Sequence, residues 1–204
     1  MADSVFDAMA RGWDDAAKVD RARRVAEAMA TALPELSRAQ VLEYGAGTGL
    51  LGFALRGRAA HVTLADSSRE MLAVAREKIA ASGATDLSTL SLDLTVDPPP
   101  ATRFGVICSL LVLHHVPDTA RLLATFHGML APGGAVCLSD LEAEDGSFHG
   151  AGADVHHGFD RAVLGRKLQA AGFSGVQFQT VTEIERPAGS GRRYPLFLAI
   201  ARRS

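Results

Sequence analysis

Ala39-Gln40-Val41-Leu42-Glu43-Tyr44-Gly45-Ala46-Gly47-Thr48-Gly49 runs from an apolar stretch straight into a glycine loop. Such a run reads as a buried strand feeding a tight turn, and the residues after it predict a helix from about Thr48 to Arg56, with Leu50, Leu51, Phe53 and Leu55 on its apolar surface. Glycine carries no Cβ, so the backbone can turn sharply here and approach a ligand, while the start of a helix offers N–H groups to an anion.

Working outward, the same alternation repeats. His61 to Ala65 reads as a second strand closed by Asp66. Ser67-Ser68-Arg69-Glu70 then has the S-x-x-E spacing of a capping box, opening a helix striped by Met71, Leu72, Ala75 and Ile79 and ended by Gly83. Leu87 to Leu92 is a third strand, ending at Asp93-Leu94. Phe104 to Val112 is the most continuous apolar run, as expected of a central strand covered on both faces. Pro117-Asp118 opens the next helix and Pro132-Gly133-Gly134 ends it. Ala135 to Leu141 makes a fifth strand, and Asp160 to Ala171 a helix capped by Gly172. Val176 to Ile184 and Tyr194 to Ala201 are joined by Pro-Ala-Gly-Ser-Gly rather than by a helix, so they should pair antiparallel. Upstream, residues 3–33 are helical in pattern with a break near Gly12 to Asp15.

Strands alternating with helices imply an α/β fold: a doubly wound, mostly parallel sheet of seven strands, helices on both faces, and an antiparallel C-terminal strand hairpin. Ligands in such sheets bind beyond the carboxyl ends of the strands, where the strand order reverses. The 204 residues fit a single domain, with 1–36 as an N-terminal helical cover and 37–204 as the core.

With 21 Lys and Arg against 23 acidic residues, the chain has no excess of positive charge to neutralise a phosphate backbone, so nucleic acid is not an expected partner. No segment approaches the apolar length of a membrane span, and the N-terminus lacks a signal-peptide pattern, so a cytoplasmic location is expected. Cys108 and Cys137 both sit in apolar runs and read as buried thiols. Nothing in the sequence specifies an oligomeric state.

Gly47-Thr48-Gly49-Leu50-Leu51-Gly52 also satisfies G-x-G-x-x-G, and Asp66 follows about where a ribose-binding acid is expected. By that pattern alone, a nicotinamide-dependent oxidoreductase stays open beside other users of an adenosine cofactor.

Taken together, Glu-Tyr-Gly-Ala-Gly-Thr-Gly at 43–49, Leu-Ala-Asp-Ser-Ser-Arg-Glu-Met-Leu at 64–72, Asp93-Leu94, Ser-Leu-Leu-Val-Leu-His-His-Val-Pro-Asp at 109–118 and Leu-Ala-Pro-Gly-Gly at 130–134 carry a resemblance. Over roughly residues 40–141 the chain resembles the class I S-adenosylmethionine-dependent methyltransferases, of the small-molecule group that includes quinone-biosynthesis enzymes. The resemblance implies a Rossmann-like core and S-adenosylmethionine as cofactor, with S-adenosylhomocysteine as product and a small molecule as methyl acceptor. It implies that Glu43, Gly45, Ala46 and Gly47 surround the methionine moiety, that Asp66 meets the ribose and Asp93 and Leu94 the adenine, and that Ser67 also binds the cofactor. Met71 would touch the adenine face, and Ser109 and Leu110 would wall the cofactor. A non-catalytic binding protein of the same fold is the further alternative.

His114, His115 and His157 are candidate proton acceptors, because an unperturbed imidazole titrates near neutrality. Adjacent residues on an extended segment point opposite ways, so at most one of His114 and His115 is expected to face the cofactor. A polar set through Asp140, Glu142, Glu144, Asp145, His149, Asp154, His156 and His157 matches no compact ligand spacing, so no metal is expected, and its glycines suggest a loop closing over the substrate. Trp13 and Phe6 are expected to cover the cofactor.

Overall fold

Strand β1 (Gln40–Tyr44) lies inside the sheet, paired in parallel with β2 (His61–Asp66) on one side and β4 (Phe104–Leu110) on the other. The computed structural model describes residues 7–150, 152–187 and 189–204. With β3 (Leu87–Ser91), β5 (Leu130–Leu141), β6 (Phe173–Glu185) and β7 (Arg193–Arg203), the sheet runs β3-β2-β1-β4-β5-β7-β6. β1 to β5 are parallel, and β7 is antiparallel to both β5 and β6. The expected seven-stranded sheet and its closing hairpin are therefore present, and the strand order reverses between β1 and β4.

The period of two along the strands divides the apolar side chains between two cores. Val41, Val106 and Cys137 face the layer of α1 (Ala16–Ala32), α2 (Leu50–Ala54) and α3 (Arg69–Ser82). Leu42, Ile107 and Leu138 face α4 (Thr119–Met129) and α5 (Arg161–Ala170). Both cysteines are free and buried, as their apolar neighbours predicted.

Four local expectations change. The helix after the glycine loop is only Leu50–Ala54, because Gly49 sits at φ +84 and delays its start. Ser68, not Ser67, caps α3: its hydroxyl accepts the Met71 N–H. β4 stops at Leu110 because Leu111 takes φ +57 and turns the chain into a 3-10 turn, Leu113–His115. In β5, Leu130 pairs with Phe104 and Ala135 with Val106, so the Pro-Gly-Gly segment bulges out of a strand that has already begun. Gly133, at φ +74, makes that detour possible.

Candidate functional site

Beyond the carboxyl ends of β1 to β4 the chain encloses a cleft of about 850 Å³. Its floor is the glycine loop. Gly45 and Gly47 have φ of +69 and +56, and a Cβ on Gly45 would fall 2.4 Å from Val112 Cγ2. Only glycine permits this close approach between the loop and the turn after β4. Three acids follow one another across adjacent strand ends: Glu43 on β1, Asp66 closing β2, and Asp93 just past β3.

Glu43 is buried, and one carboxylate oxygen accepts the Gly52 N–H at 2.8 Å. Burial, opposed by that hydrogen bond and reinforced by Asp66, raises its pKa from 4.5 to about 8. Asp66 accepts from the Gly47 N–H at 2.6 Å and from the Ser68 N–H at 2.8 Å, tying the glycine loop to the start of α3. Asp93 holds its own turn by accepting from the Thr95 N–H and hydroxyl. Ser67, Met71 and Leu110 also line the cleft, as do Gly45, Ala46 and Gly47.

Not every expected site residue reaches the cleft. The Leu94 N–H, expected at the adenine edge, instead donates to the Tyr44 hydroxyl at 3.2 Å, and the Leu94 side chain is buried in the core. Ser109 is buried within β4 and is not part of the lining. The N–H groups of Ala46 and Gly47 are already donated to the Ala65 carbonyl and the Asp66 carboxylate, which removes them as donors for an anion. A cation close by is Arg21 of α1, which lines the cleft together with Lys18.

The N-terminal segment is stapled over the loop. Asp14 accepts from the Thr48 hydroxyl and from Lys78 Nζ at 2.8 Å, and the Ser68 hydroxyl donates to Asp7. This brings Trp13 to the cleft, where a Cβ on Gly47 would lie 3.9 Å from its Nε1. Phe6 lies outside the described residues.

Three imidazoles also line the cleft. His114 is buried, and its Nδ1 bonds Asp140 Oδ1 at 2.7 Å. Asp140, also buried, accepts further from the backbone N–H groups of His114 and Leu141. A carboxylate only accepts, so Nδ1 carries a hydrogen, and in the neutral ring Nε2 is the nitrogen with the lone pair. The His115 and His149 rings lie 4.1 Å and 4.9 Å from the His114 ring. Because the segment is a 3-10 turn rather than extended, His114 and His115 both line the cleft, contrary to the expectation that only one would. His157 does not: it is exposed and packs against Gly146. His156 anchors the loop by donating its N–H to the His114 carbonyl at 2.8 Å.

Arg21, Arg186, which also lines the cleft, and the pairing of His149 with His114 are not legible in the sequence. Arg21 looks like any charge on an amphipathic helix, and Arg186 sits in the hairpin turn. His149 is carried in by Phe148, whose ring packs edge-on against Tyr194 at 5.1 Å, and by the Ser147 to Tyr194 hydroxyl contact at 2.7 Å.

A family model described as a methyltransferase domain matches residues 17–182. The ubiquinone biosynthesis O-methyltransferase of Pseudomonas aeruginosa strain UCBPP-PA14 is 36% identical over 107 residues, covering 52% of this chain and 46% of that protein. The chain thus spans about half the length of the curated relatives it matches. Among solved structures, an S-adenosylmethionine dependent methyltransferase from Mesorhizobium loti is 27% identical with a TM-score of 0.65, over 87% of this chain and 96% of that one. Magnesium protoporphyrin IX methyltransferase from Synechocystis PCC 6803, solved with its cofactor bound, is similar in fold at 20% identity and a TM-score of 0.67, over 92% and 78% of the two chains.

Proposed function

The chain belongs to the methyltransferase domain family, and from that premise we propose that it moves a methyl group from S-adenosylmethionine to an oxygen of a small organic acceptor. The observation that carries this reading is the row of Glu43, Asp66 and Asp93 across adjacent strand ends, facing one cleft floored by a glycine loop.

The lining suits a zwitterion that carries an adenosine. Glu43 lies ready for an ammonium group and Arg21 for a carboxylate, which takes over the part expected of the loop N–H groups. Asp66, fixed by two backbone N–H groups, is the acid for ribose hydroxyls in this reading, and Asp93 the acid for the base. Trp13, with the described part of the N-terminal segment, residues 7–36, forms a cover that keeps water from the reacting atoms.

The cofactor supplies a methyl on a positively charged sulfur, so the protein mainly has to align donor and acceptor, about 3–3.5 Å apart. An acceptor hydroxyl also loses a proton, and His114 Nε2 is the group that takes it. Asp140 holds the ring in the correct tautomer and stabilises the imidazolium that results. The names of the curated relatives favour oxygen as the accepting atom.

Calorimetry with S-adenosylhomocysteine, followed by its release from S-adenosylmethionine in the presence of phenolic or quinol acceptors, tests the reading. Binding with release supports it. Binding without release by any acceptor would leave a cofactor-binding protein of the same fold. Binding of NADH in place of either would overturn the reading.

A further inference from the structure

His114 and His115 leave the end of β4, and His149 comes from the loop after β5, yet one ligand nitrogen of each lies within 4.8 Å of the other two. We propose that these three imidazoles form a site for one zinc-class divalent ion on the acceptor side of the cleft.

The first support is orientation. Asp140 fixes His114 with its Nε2 lone pair outward, and a carboxylate on the far nitrogen of a ligating imidazole is the usual second partner of a metal-binding histidine. The second is an orphan: His149 Nε2 is buried and has no hydrogen-bond partner among the described residues. A buried polar atom left so is costly, and a metal ion would satisfy it.

The donor set selects the ion. Neutral imidazole suits zinc and its neighbours rather than magnesium or calcium, and three protein nitrogens leave the fourth tetrahedral position open to the cleft. Zinc to nitrogen bonds of about 2.0–2.1 Å would bring the three nitrogens to roughly 3.3 Å from one another. His149 can make that approach, since Gly146 and Gly150 flank its short segment, both with positive φ. An ion held here occupies the His114 lone pair. Zinc should therefore inhibit methyl transfer, a consequence that rests on the proton-accepting role proposed above, whereas the site itself does not.

The test uses the full chain without a polyhistidine tag, loaded with zinc and passed through a desalting column. One zinc per chain is expected, and cobalt(II) in its place should give the visible bands of a tetrahedral nitrogen site. Both His149→Ala and His149→Gln should lose those bands while still binding S-adenosylhomocysteine, which confirms that they fold. Asp140→Asn should weaken zinc binding by roughly 10–100-fold. No retained zinc in the wild type, or unchanged cobalt bands in both His149 variants, would overturn the site. If the site holds and zinc raises rather than lowers turnover, the proton-accepting role of His114 is what fails.

Discussion

Glu43 gives the sharpest quantitative test of the proposed cofactor seat. Its carboxyl ordinarily titrates near 4.5 and is raised by burial to about 8. Between those values the native chain holds a proton that the unfolded chain has released, so this group makes stability fall as pH rises, levelling off above about 8. At roughly 1.4 kcal/mol per pH unit, the loss over that window is on the order of 5 kcal/mol. An ammonium group bound beside Glu43 reverses the balance by favouring the carboxylate. At pH 7 only about one Glu43 in ten is ionised in the free protein, so binding must expel close to one proton. Affinity for S-adenosylhomocysteine should therefore rise nearly tenfold per unit between about pH 6 and 7.5, below the range where the ligand's own amine deprotonates. Calorimetry in two buffers of different ionisation enthalpy measures both the slope and the released proton. Glu43→Gln keeps the Gly52 hydrogen bond without an ionisable group, so it should flatten the slope and unfold at a higher temperature than the wild type above pH 8 or so. A flat wild-type profile, or proton uptake on binding, would refute the reasoning.

Three further outcomes follow from the same geometry. Arg21→Met should raise the Michaelis constant for S-adenosylmethionine by about tenfold to a hundredfold, since charge-assisted hydrogen bonds contribute about 1.5–3 kcal/mol, with a smaller effect on turnover in steady-state kinetics. Gly45→Ala combines an unfavourable positive φ with a Cβ driven into Val112, and should cost about 2 kcal/mol or more of stability in denaturant unfolding. His114→Ala should lower kcat by about 10²–10⁴-fold with cofactor binding by calorimetry retained.

Much of the fold was legible because it rests on local signals. The strand before the glycine loop, the Gly83 helix stop and the helix-free link between the last two strands each announce themselves within a few residues. The errors came where tertiary packing overrode those signals. Leu111 would read as the continuation of a β4 strand, but its left-handed turn is held by its N–H donated to the Ser139 carbonyl of β5. The S-x-x-E spacing points to Ser67 as the cap, but the Asp66 carboxylate binds the Ser68 N–H and Ser68 is the residue that opens the helix.

By itself the sequence determined the order of elements, the doubly wound sheet and the three acids at strand ends, because strand period, turn residues and position along the chain suffice for these. Only the tertiary structure decided what those groups face. It spent the Ala46, Gly47 and Leu94 N–H groups inside the fold, brought Arg21 to the cleft and sent His157 away from it. It also joined His149 to His114 across 35 residues of chain (149 − 114), through a hydrogen-bonded Asp140 on one strand and a loop packed on Tyr194 of another. Spacing along a chain reports distance only within one element, whereas a cluster built from three strand ends exists only once the sheet has formed.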